Sequence, residues 1–185
     1  MRIIAGTARS RRIEAPDGKN TRPTLDRVRE NLFNMLQTRI HGARVLDLFA
    51  GSGALSLEAL SRGASYAVMN DRDGNANRVE LKNAETLGFS DRTRVLKGDW
   101  EQTAALLRGE GERFDLIFLD PPYTMTDLRP VMEALRPLAD AETLVIAEHE
   151  AKTVLTVPDG MEQTNTRNWG FCGVSFYRFS EEEHT

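Results

Sequence analysis

Apolar and polar positions follow two different periods along the chain, and these periods predict the order of helices and strands. From Leu25 to Ile40, apolar residues recur at helical spacing, and Thr24 is a candidate N-cap. Short apolar runs and amphipathic stretches then alternate, and several stretches end at a glycine. The predicted strands cover residues 43–49, 65–71, 92–99, 114–120 and 143–150, and the predicted helices cover residues 53–63, 74–88, 100–109 and 127–138.

The two ends of the chain depart from this alternation. Near the N-terminus, "RIIAG" and "RRIEAP" predict two short strands joined by a turn. After the fifth strand, "KTVLTVP" (152–158) and "VSFYRF" (174–179) predict two strands with no helix between them, which indicates an antiparallel hairpin. Repeated strand–helix units predict a mostly parallel sheet with helices on both faces. We therefore expect one α/β domain over residues 1–185, with a Rossmann-like seven-stranded sheet, a C-terminal antiparallel hairpin and a small N-terminal hairpin and helix.

Composition narrows the class of protein. The chain has 185 residues, of which 40% are hydrophobic and 28% are charged, as is typical of one globular domain. No apolar stretch approaches the length of a membrane span, and the start, "MRIIAGTARSRR", lacks the apolar core of a signal peptide. Cys172 is the single cysteine, so an internal disulfide is excluded and a reducing compartment, the cytoplasm, is favoured. The three histidines are scattered, and we expect no metal site.

The charges are divided unevenly between a short N-terminal segment and the remainder. Residues 1–44, here called the basic arm, carry ten Lys and Arg against four Asp and Glu, whereas the remaining residues carry 14 against 24. A basic segment on an acidic body can bind phosphates although the net charge of the whole chain is −4. A solvated basic face would give the same counts, so charge alone leaves both interpretations open.

Acids and glycines stand where the predicted strands end. In an open α/β sheet, ligands bind beyond the carboxyl ends of the strands, close to the switch in strand order. The glycines of "DLFAGSG" permit a tight turn and close approach of a ligand, and the helix that follows favours an anion at its N-terminus. The residues at these ends are Asp47, Gly51 and Gly53 after the first strand, Asp71 after the second, Asp99 after the third and Asp120 after the fourth. Each is a weak signal alone, but together they form a candidate site.

The spacing of the glycines bears on the cofactor. Ser56 stands where the GxGxxG motif for pyrophosphate has its third glycine, and no GxxxxGK[ST] motif is present. Asp71, 18 residues after Gly53, is placed to hold the hydroxyls of a ribose, and Asp99 can accept from an adenine amine. S-adenosylmethionine, which has a ribose and an adenine but no pyrophosphate, fits this set. A nicotinamide oxidoreductase is disfavoured by the missing glycine.

The stretch "FLDPPY" (118–123) ends the fourth strand with unusual chemistry. Pro121 and Pro122 lack a backbone N–H, so they stiffen the turn and leave the Pro121 carbonyl beside the Asp120 carboxylate. Two acceptors at an aromatic amine would favour its pyramidal form and direct its lone pair, while Tyr123 stacks on the base. A plain turn explains the tetrapeptide alone, but its position beside the glycine loop favours methyl transfer to an amine.

Five segments together resemble the RsmD family of bacterial small-subunit ribosomal RNA guanine-N2 methyltransferases, which are class I, S-adenosylmethionine-dependent enzymes. They are "MRIIAG", "TRPTLDRVRENLFNML" (21–36), "VLDLFAGSGALSLEALSRGA" (45–64), "VLKGDW" (95–100) and "FDLIFLDPPY" (114–123), and the resemblance runs almost end to end. It implies methylation of the exocyclic N2 amine of a guanine in 16S rRNA, at position 966, in the small ribosomal subunit or its assembly intermediate.

The resemblance also assigns residues to parts of the reaction. For the cofactor, it implies Asp47, Gly51 and Gly53 at the methionine end, Asp71 at the ribose and Asp99 at the adenine. For the target guanine, it implies the turn formed by Asp120, Pro121, Pro122 and Tyr123. At the entrance, Thr24 would contact cofactor or RNA together with Arg22 and Arg27, and we expect the other RNA contacts from Arg9, Arg11 and Arg12. We expect a monomer that needs neither a metal ion nor a membrane.

Some alternatives stay open at this point. The family usually has Glu at the position of Asp71, so either Asp71 or Asp73 holds the ribose. A DNA adenine-N6 methyltransferase, or one that acts on another planar amine, would use the same turn chemistry, although the basic arm favours nucleic acid over a small metabolite. A non-catalytic RNA-binding protein with a degenerate cofactor pocket is the rival from another class, and the intact glycines and acids argue against it.

Overall fold

The computed structural model describes residues 1–18 and 23–180, without the side chains of residues 23 and 24. Its helices are α1 (Pro23–Ile40), α2 (Ala54–Ser61), α3 (Gly74–Leu87), α4 (Trp100–Gly109) and α5 (Arg129–Leu135). Its strands are β1 (Arg44–Asp47), β2 (Tyr66–Asp71), β3 (Thr93–Lys97), β4 (Leu116–Leu119), β5 (Leu144–Glu150), β6 (Met161–Trp169) and β7 (Cys172–Phe179). No helix in the two described ranges is long and apolar enough to cross a membrane.

One sheet of seven strands runs through the molecule in the order β3-β2-β1-β4-β5-β7-β6. The first five strands in this order are parallel, whereas β7 is antiparallel to both β5 and β6. The chain therefore moves outward from β1 to β3 and then returns to the other side of β1 as β4. This reversal makes the carboxyl ends of β1 and β4 the place where a ligand crevice is expected in such a sheet. The Rossmann-like fold with a C-terminal antiparallel hairpin is confirmed.

The first strand of the C-terminal hairpin was predicted in the wrong place. Residues 152–158 form a loop in which Val154 is 90% exposed, and the strand is Met161–Trp169, which contains mostly polar side chains. Its backbone pairs with β7 from Met161 to Trp169, while most of its side chains face solvent. An edge strand needs only one paired side and no buried face, so hydrophobicity is a poor guide to its position.

The N-terminal elements are close to the prediction, with two differences. The two segments run antiparallel and meet in one bridge between Arg2 and Arg12, which is a shorter hairpin than expected. Helix α1 begins at Pro23, so Thr24 lies inside its first turn and is not the N-cap. Proline suits the first turn because its fixed φ is helical and its missing N–H would have no helical partner there.

Alternate residues of the strands pack into two separate apolar layers on the two faces of the sheet. Phe118 and Ile146 point to a layer that holds α1, α2 and the apolar residues of the basic arm, such as Ile3. Ile117 and Val145 point to the other layer, which is covered by α4 and α5. Because side chains alternate between the two faces, residues two positions apart at a strand end lie on the same face of the sheet.

A buried carboxylate fixes the basic arm to the first layer. Glu58 on α2 has no exposed side-chain surface, and its oxygens accept from the backbone N–H groups of Ile4 and Ala5 at 2.9 and 3.0 Å. Arg62 donates to it at 2.9 Å, and the buried Arg29 guanidinium of α1 lies 3.8 Å away. One acid thus joins the arm, α1 and α2.

An amide of α3 fixes the arm at a second point, Glu14. The Asn83 side chain accepts from the backbone N–H of Glu14 at 2.8 Å and donates to the Glu14 carbonyl at 2.9 Å. The same amide donates to the carbonyl of Ser52 at 2.9 Å. Because Ser52 belongs to the loop after β1, Asn83 links the arm directly to that loop.

Replacing Glu58 tests how strongly the arm depends on this carboxylate. In Glu58→Ala, two backbone donors and the Arg62 guanidinium lose their acceptor, and the buried Arg29 loses an opposite charge. Removing one partner of a buried ion pair costs about 3–5 kcal/mol, and we expect the free energy of unfolding in urea to fall by that amount.

The control is an ion pair at the surface of the same arm. Glu14 and Lys82 are 2.7 Å apart, with side chains 56% and 61% exposed. Exposed pairs contribute about 1 kcal/mol or less, so Glu14→Ala is expected to change the free energy of unfolding by no more than that. Equal losses in the two variants would contradict the anchoring role of Glu58.

Candidate active site

The loop after β1, residues 48–53 and here called the glycine loop, follows the ends of two neighbouring strands. The N–H of Leu48 donates to the Phe118 carbonyl at 3.2 Å, and that of Ala50 donates to the Asn70 carbonyl at 2.8 Å. Gly51 and Gly53 have φ values of 59° and 77°, which is the left-handed region. A Cβ on Gly53 would lie 2.5 Å from the Met69 sulfur. The tight turn predicted from the glycines is therefore present.

Asp47 lies beneath this loop and is only 1% exposed. Its Oδ2 accepts from the Ser56 hydroxyl at 3.3 Å, while its buried Oδ1 has no hydrogen-bond partner among the described residues. Burial raises the pKa of this carboxyl to about 7, and the nearby Asp71 acts in the same direction. A carboxylate in this position is stabilised by any donor or positive charge brought close to Oδ1.

Asp71 and Asp73 occupy different positions after β2. One oxygen of Asp71 accepts from the N–H of Gly51 at 3.0 Å and the other from the N–H of Asp73 at 3.0 Å, so this acid is attached to the glycine loop. Asp73 is exposed and caps α3 by accepting from the N–H of Asn75 at 2.9 Å. The structure thus distinguishes an acid at the loop from an acid at a helix start.

Asp99 stands farther along the same edge of the sheet. It is exposed, precedes α4 as its N-cap, and borders an open cleft together with Gly98 and Asp73. The loop before it is held by Asn70, which donates to the carbonyls of Leu48 and Gly98, both at 3.1 Å. Asn70 was not predicted, because an amide inside an apolar strand gives no signal of the two loops that it joins.

The Asp120–Tyr123 turn follows β4 at the next strand end. Asp120 is exposed, Pro121 is buried, and Tyr123 is 59% exposed. The Pro122 carbonyl accepts from the N–H of Met125 at 2.9 Å and closes the turn. The stiff turn predicted from the two prolines is present, and its aromatic ring faces the solvent side of the site.

One cavity is lined by residues from several of the segments that were predicted to form the site. It has a volume of about 190 Å³ and lies between the arm, α1, the glycine loop and the ends of β4 and β5. Gly51 and Asp120 both line it, as do Asp26 and Arg29 of α1. The glycine loop and the Asp120–Tyr123 turn therefore border one space, whereas Asp99 borders the separate open cleft beyond Asp71.

Glu148 near the end of β5 lines this cavity and was missed by the sequence analysis. It also lines a smaller cleft, of about 130 Å³, beside Pro121, Pro122 and Tyr123. Burial raises the pKa of its carboxyl. The sequence "IAEHE" offers three polar residues in a row, so only the order and register of the strands show which of them faces the site.

The arginines predicted for RNA lie in different environments. Arg9, Arg11, Arg12 and Arg27 are all exposed, and the guanidinium of Arg11 also donates to the Thr86 carbonyl. Arg22 and the side chain of Thr24 lie outside the described residues. The exposed arginines are the ones that are open to a phosphate.

Comparison with known proteins gives consistent matches over nearly the whole chain. The sequence model of the family described as "Conserved hypothetical protein 95" matches residues 1–178. The Escherichia coli (strain K12) protein named "Ribosomal RNA small subunit methyltransferase D" is 40% identical over 162 residues, which are 85% of this chain and 79% of that protein. The Bacillus subtilis (strain 168) protein YlbH is 38% identical over 184 residues, which cover 96% of this chain and 98% of YlbH.

A solved structure agrees with the sequence matches. The structure of Escherichia coli yhhF superposes with a TM-score of 0.83 at 34% sequence identity, and it covers 97% of this chain and 98% of that one. The class I methyltransferase fold and the RsmD resemblance predicted from the sequence are thereby confirmed. The chain belongs to the family described as conserved hypothetical protein 95, the RsmD family of methyltransferases.

Proposed function

We propose that the protein uses S-adenosylmethionine to methylate the exocyclic N2 amine of a guanine in 16S rRNA, at position 966, in the small ribosomal subunit or its assembly intermediate. The observation that carries the proposal is the cavity that both Gly51 and Asp120 line. A loop suited to a nucleoside cofactor and a turn suited to a planar amine thus border one space. The names of the relatives support ribosomal RNA as the substrate.

The residues around the glycine loop fit the cofactor. Gly51 and Gly53 allow close approach to the loop, and the buried Oδ1 of Asp47 would gain from the positively charged amino group at the methionine end. Asp71 is our choice for the ribose, because its carboxylate is held at the loop by Gly51 while Asp73 serves as a helix cap. Asp99 would accept from the adenine amine in the adjoining open cleft.

The first turn of α1 borders the same space. Leu25 and Asp26 line the cavity. By resemblance to the family, Thr24 would contact the cofactor or the RNA. We place Arg27, which is exposed on this helix, among the RNA contacts. Arg22 would join it there by resemblance to the family.

The Asp120–Tyr123 turn would prepare the target amine. An aromatic amine is a poor nucleophile because its lone pair is delocalised into the ring. S-adenosylmethionine supplies an electrophilic methyl group on a positively charged sulfur. Asp120 and the Pro121 carbonyl would accept the two amine hydrogens, favour the pyramidal form of the nitrogen, and direct its lone pair into the cavity.

The remaining residues of the turn would position the base and complete the reaction. The ring of Tyr123 is exposed and available to stack on the guanine, and the prolines hold it at a fixed place. As the new N–C bond forms and the C–S bond breaks, the nitrogen becomes acidic. Its extra proton would pass to Asp120 or to water.

The direct test is methyl transfer with wild-type enzyme and Asp120→Ala. In single turnover on small ribosomal subunits with methyl-labelled cofactor, we expect N2-methylguanosine from the wild type. Loss of an acceptor that acts mainly in the transition state should lower the rate of Asp120→Ala by about 10²–10³-fold. Cofactor affinity, measured by calorimetry, should stay unchanged.

Other outcomes of this test would point to the rival functions. Methyl transfer to DNA, with none to small ribosomal subunits, would favour the DNA adenine-N6 enzyme. Absence of cofactor binding by the wild type would favour a non-catalytic RNA-binding protein. A wild-type rate in Asp120→Ala would leave the turn without a catalytic role.

Asp71 and Asp73 form a matched pair for testing cofactor binding. Asp71→Ala removes hydrogen bonds to the ribose and should weaken S-adenosylmethionine binding by about 1–3 kcal/mol. Asp73→Ala removes only the cap of α3 and should leave the affinity nearly unchanged. The measurement is calorimetry on both folded variants. A larger loss of affinity in Asp73→Ala would assign ribose binding to Asp73.

RNA binding by the arm has a signature in its dependence on salt. Arg9 and Arg12 are exposed on the arm, so the double substitution to Ala should reduce the slope of log affinity against log salt by about 1.4–1.8. Arg108, an exposed residue in the last turn of α4, is the control, and its replacement by Ala should leave the slope unchanged. An unaltered slope in the double variant would indicate that the arm is a solvated surface that does not bind phosphates.

A further inference from the structure

The register of the sheet places an unassigned acid beside the Asp120–Tyr123 turn. In the parallel pairing of β4 with β5, Leu119 lies opposite Ala147. Asp120 and Glu148 directly follow these two residues. Because side chains alternate along a strand, both lie on the same face of the sheet as Phe118 and Ile146, which face α1 and the arm. Glu148 therefore approaches the cavity from the same side of the sheet as Asp120.

Glu148 connects the two spaces of the proposed site. It lines the cavity that contains Gly51 and Asp120, and it lines the cleft that contains Pro122 and Tyr123. A base that stacks on Tyr123, with its amine at Asp120, would lie next to the Glu148 carboxylate. Its position is thus that of a group beside the edge of the base.

The environment of Glu148 differs from that of a structural buried acid in the same protein. Glu58 is neutralised by Arg62 and Arg29. Within residues 1–18 and 23–180, no lysine or arginine forms an ion pair with Glu148, and the Cys172 thiol and His149 are near it. A partly buried acid that has no arginine partner retains acceptor capacity for a ligand.

The edge of guanine offers two adjacent donors that suit a carboxylate in this position. Guanine presents N1–H next to its N2 amine, so a carboxylate can accept from two adjacent donors. Adenine and cytosine present an unprotonated ring nitrogen, N1 or N3, next to their amines. A carboxylate facing that nitrogen would bring two acceptors together, which is unfavourable because neither supplies a hydrogen.

We propose that Glu148 accepts from N1–H and N2–H of the target base and thereby restricts methyl transfer to guanine. This inference rests on the proposed function, since it concerns the same cavity and the same amine. Asp120 would act on the reacting nitrogen, whereas Glu148 would be the specificity-determining residue. The division also explains how a turn that suits any planar amine is limited to one base.

The experiment replaces the target guanine by 2,6-diaminopurine in 16S RNA assembled into small subunits. This base keeps the N2 amine but has an unprotonated N1. A good bidentate contact discriminates between bases by roughly 5–150-fold, so the wild type should transfer methyl to guanine faster by a factor in that range. In Glu148→Gln, the amide can donate to the unprotonated N1, so most of this preference should be lost.

The control variant is Glu142→Gln, which makes the same charge change before the opposite end of β5 and should keep the wild-type preference. A purely structural effect of Glu148→Gln would slow both substrates equally and leave their ratio unchanged, and that result would overturn the inference. If Glu148→Gln shows no turnover, competition binding of the two RNAs with S-adenosylhomocysteine decides in the same way: a lost preference supports the inference and a kept preference overturns it.

The outcomes for the two proposals are separable. Absence of N2-methylguanosine from the wild type would overturn the proposed function itself. Formation of N2-methylguanosine by the wild type, with an unchanged base preference in Glu148→Gln, would overturn only the role of Glu148.

Discussion

The arrangement of the site depends on the pairing of β1 with β2 on one side and β4 on the other, parallel to both. The backbone hydrogen bonds of Leu48 and Ala50 continue this pairing into the glycine loop. Neighbouring strands in a sheet lie about 4.8 Å apart. The loop proposed for the cofactor and the turn proposed for the target amine are therefore held at adjacent strand ends, and the reacting atoms can be brought into contact without a large movement of the chain.

A few buried polar side chains complete the site by holding the basic arm against it. Glu58 binds the start of the arm, and Asn83 binds Glu14 of the arm together with the glycine loop. A buried polar group is tolerated only where its hydrogen bonds are made, so each such group specifies one position for its partners. This explains how residues 1–18 of the arm, which have little secondary structure, form a wall of the cavity and also present Arg9 and Arg12 to the solvent.

The acids of the site have different environments, and these suit different tasks. Asp47 is fully buried, and its pKa is raised to about 7 mainly by burial. Asp120 is exposed at the end of β4, and Glu148 is partly buried beside it. Burial favours the neutral form of a carboxyl, while a donor or cation favours the charged form. In our proposals, a positively charged cofactor group would be the partner of Asp47. The reacting amine would be the partner of Asp120, and the edge of a guanine would be the partner of Glu148.

The sequence by itself determined the order of helices and strands from α1 to β5, the glycine loop and the stiff turn at Asp120–Tyr123, because helix period, strand period and turn chemistry act between near neighbours. Only the tertiary structure decided the position of β6, whose backbone is paired with β7 while its side chains remain in solvent. Only it placed Glu148 beside Asp120, separated Asp71 from Asp73, and brought Glu58 to the arm. These features join residues far apart in the chain, and local periodicity carries no information about which distant groups satisfy one another.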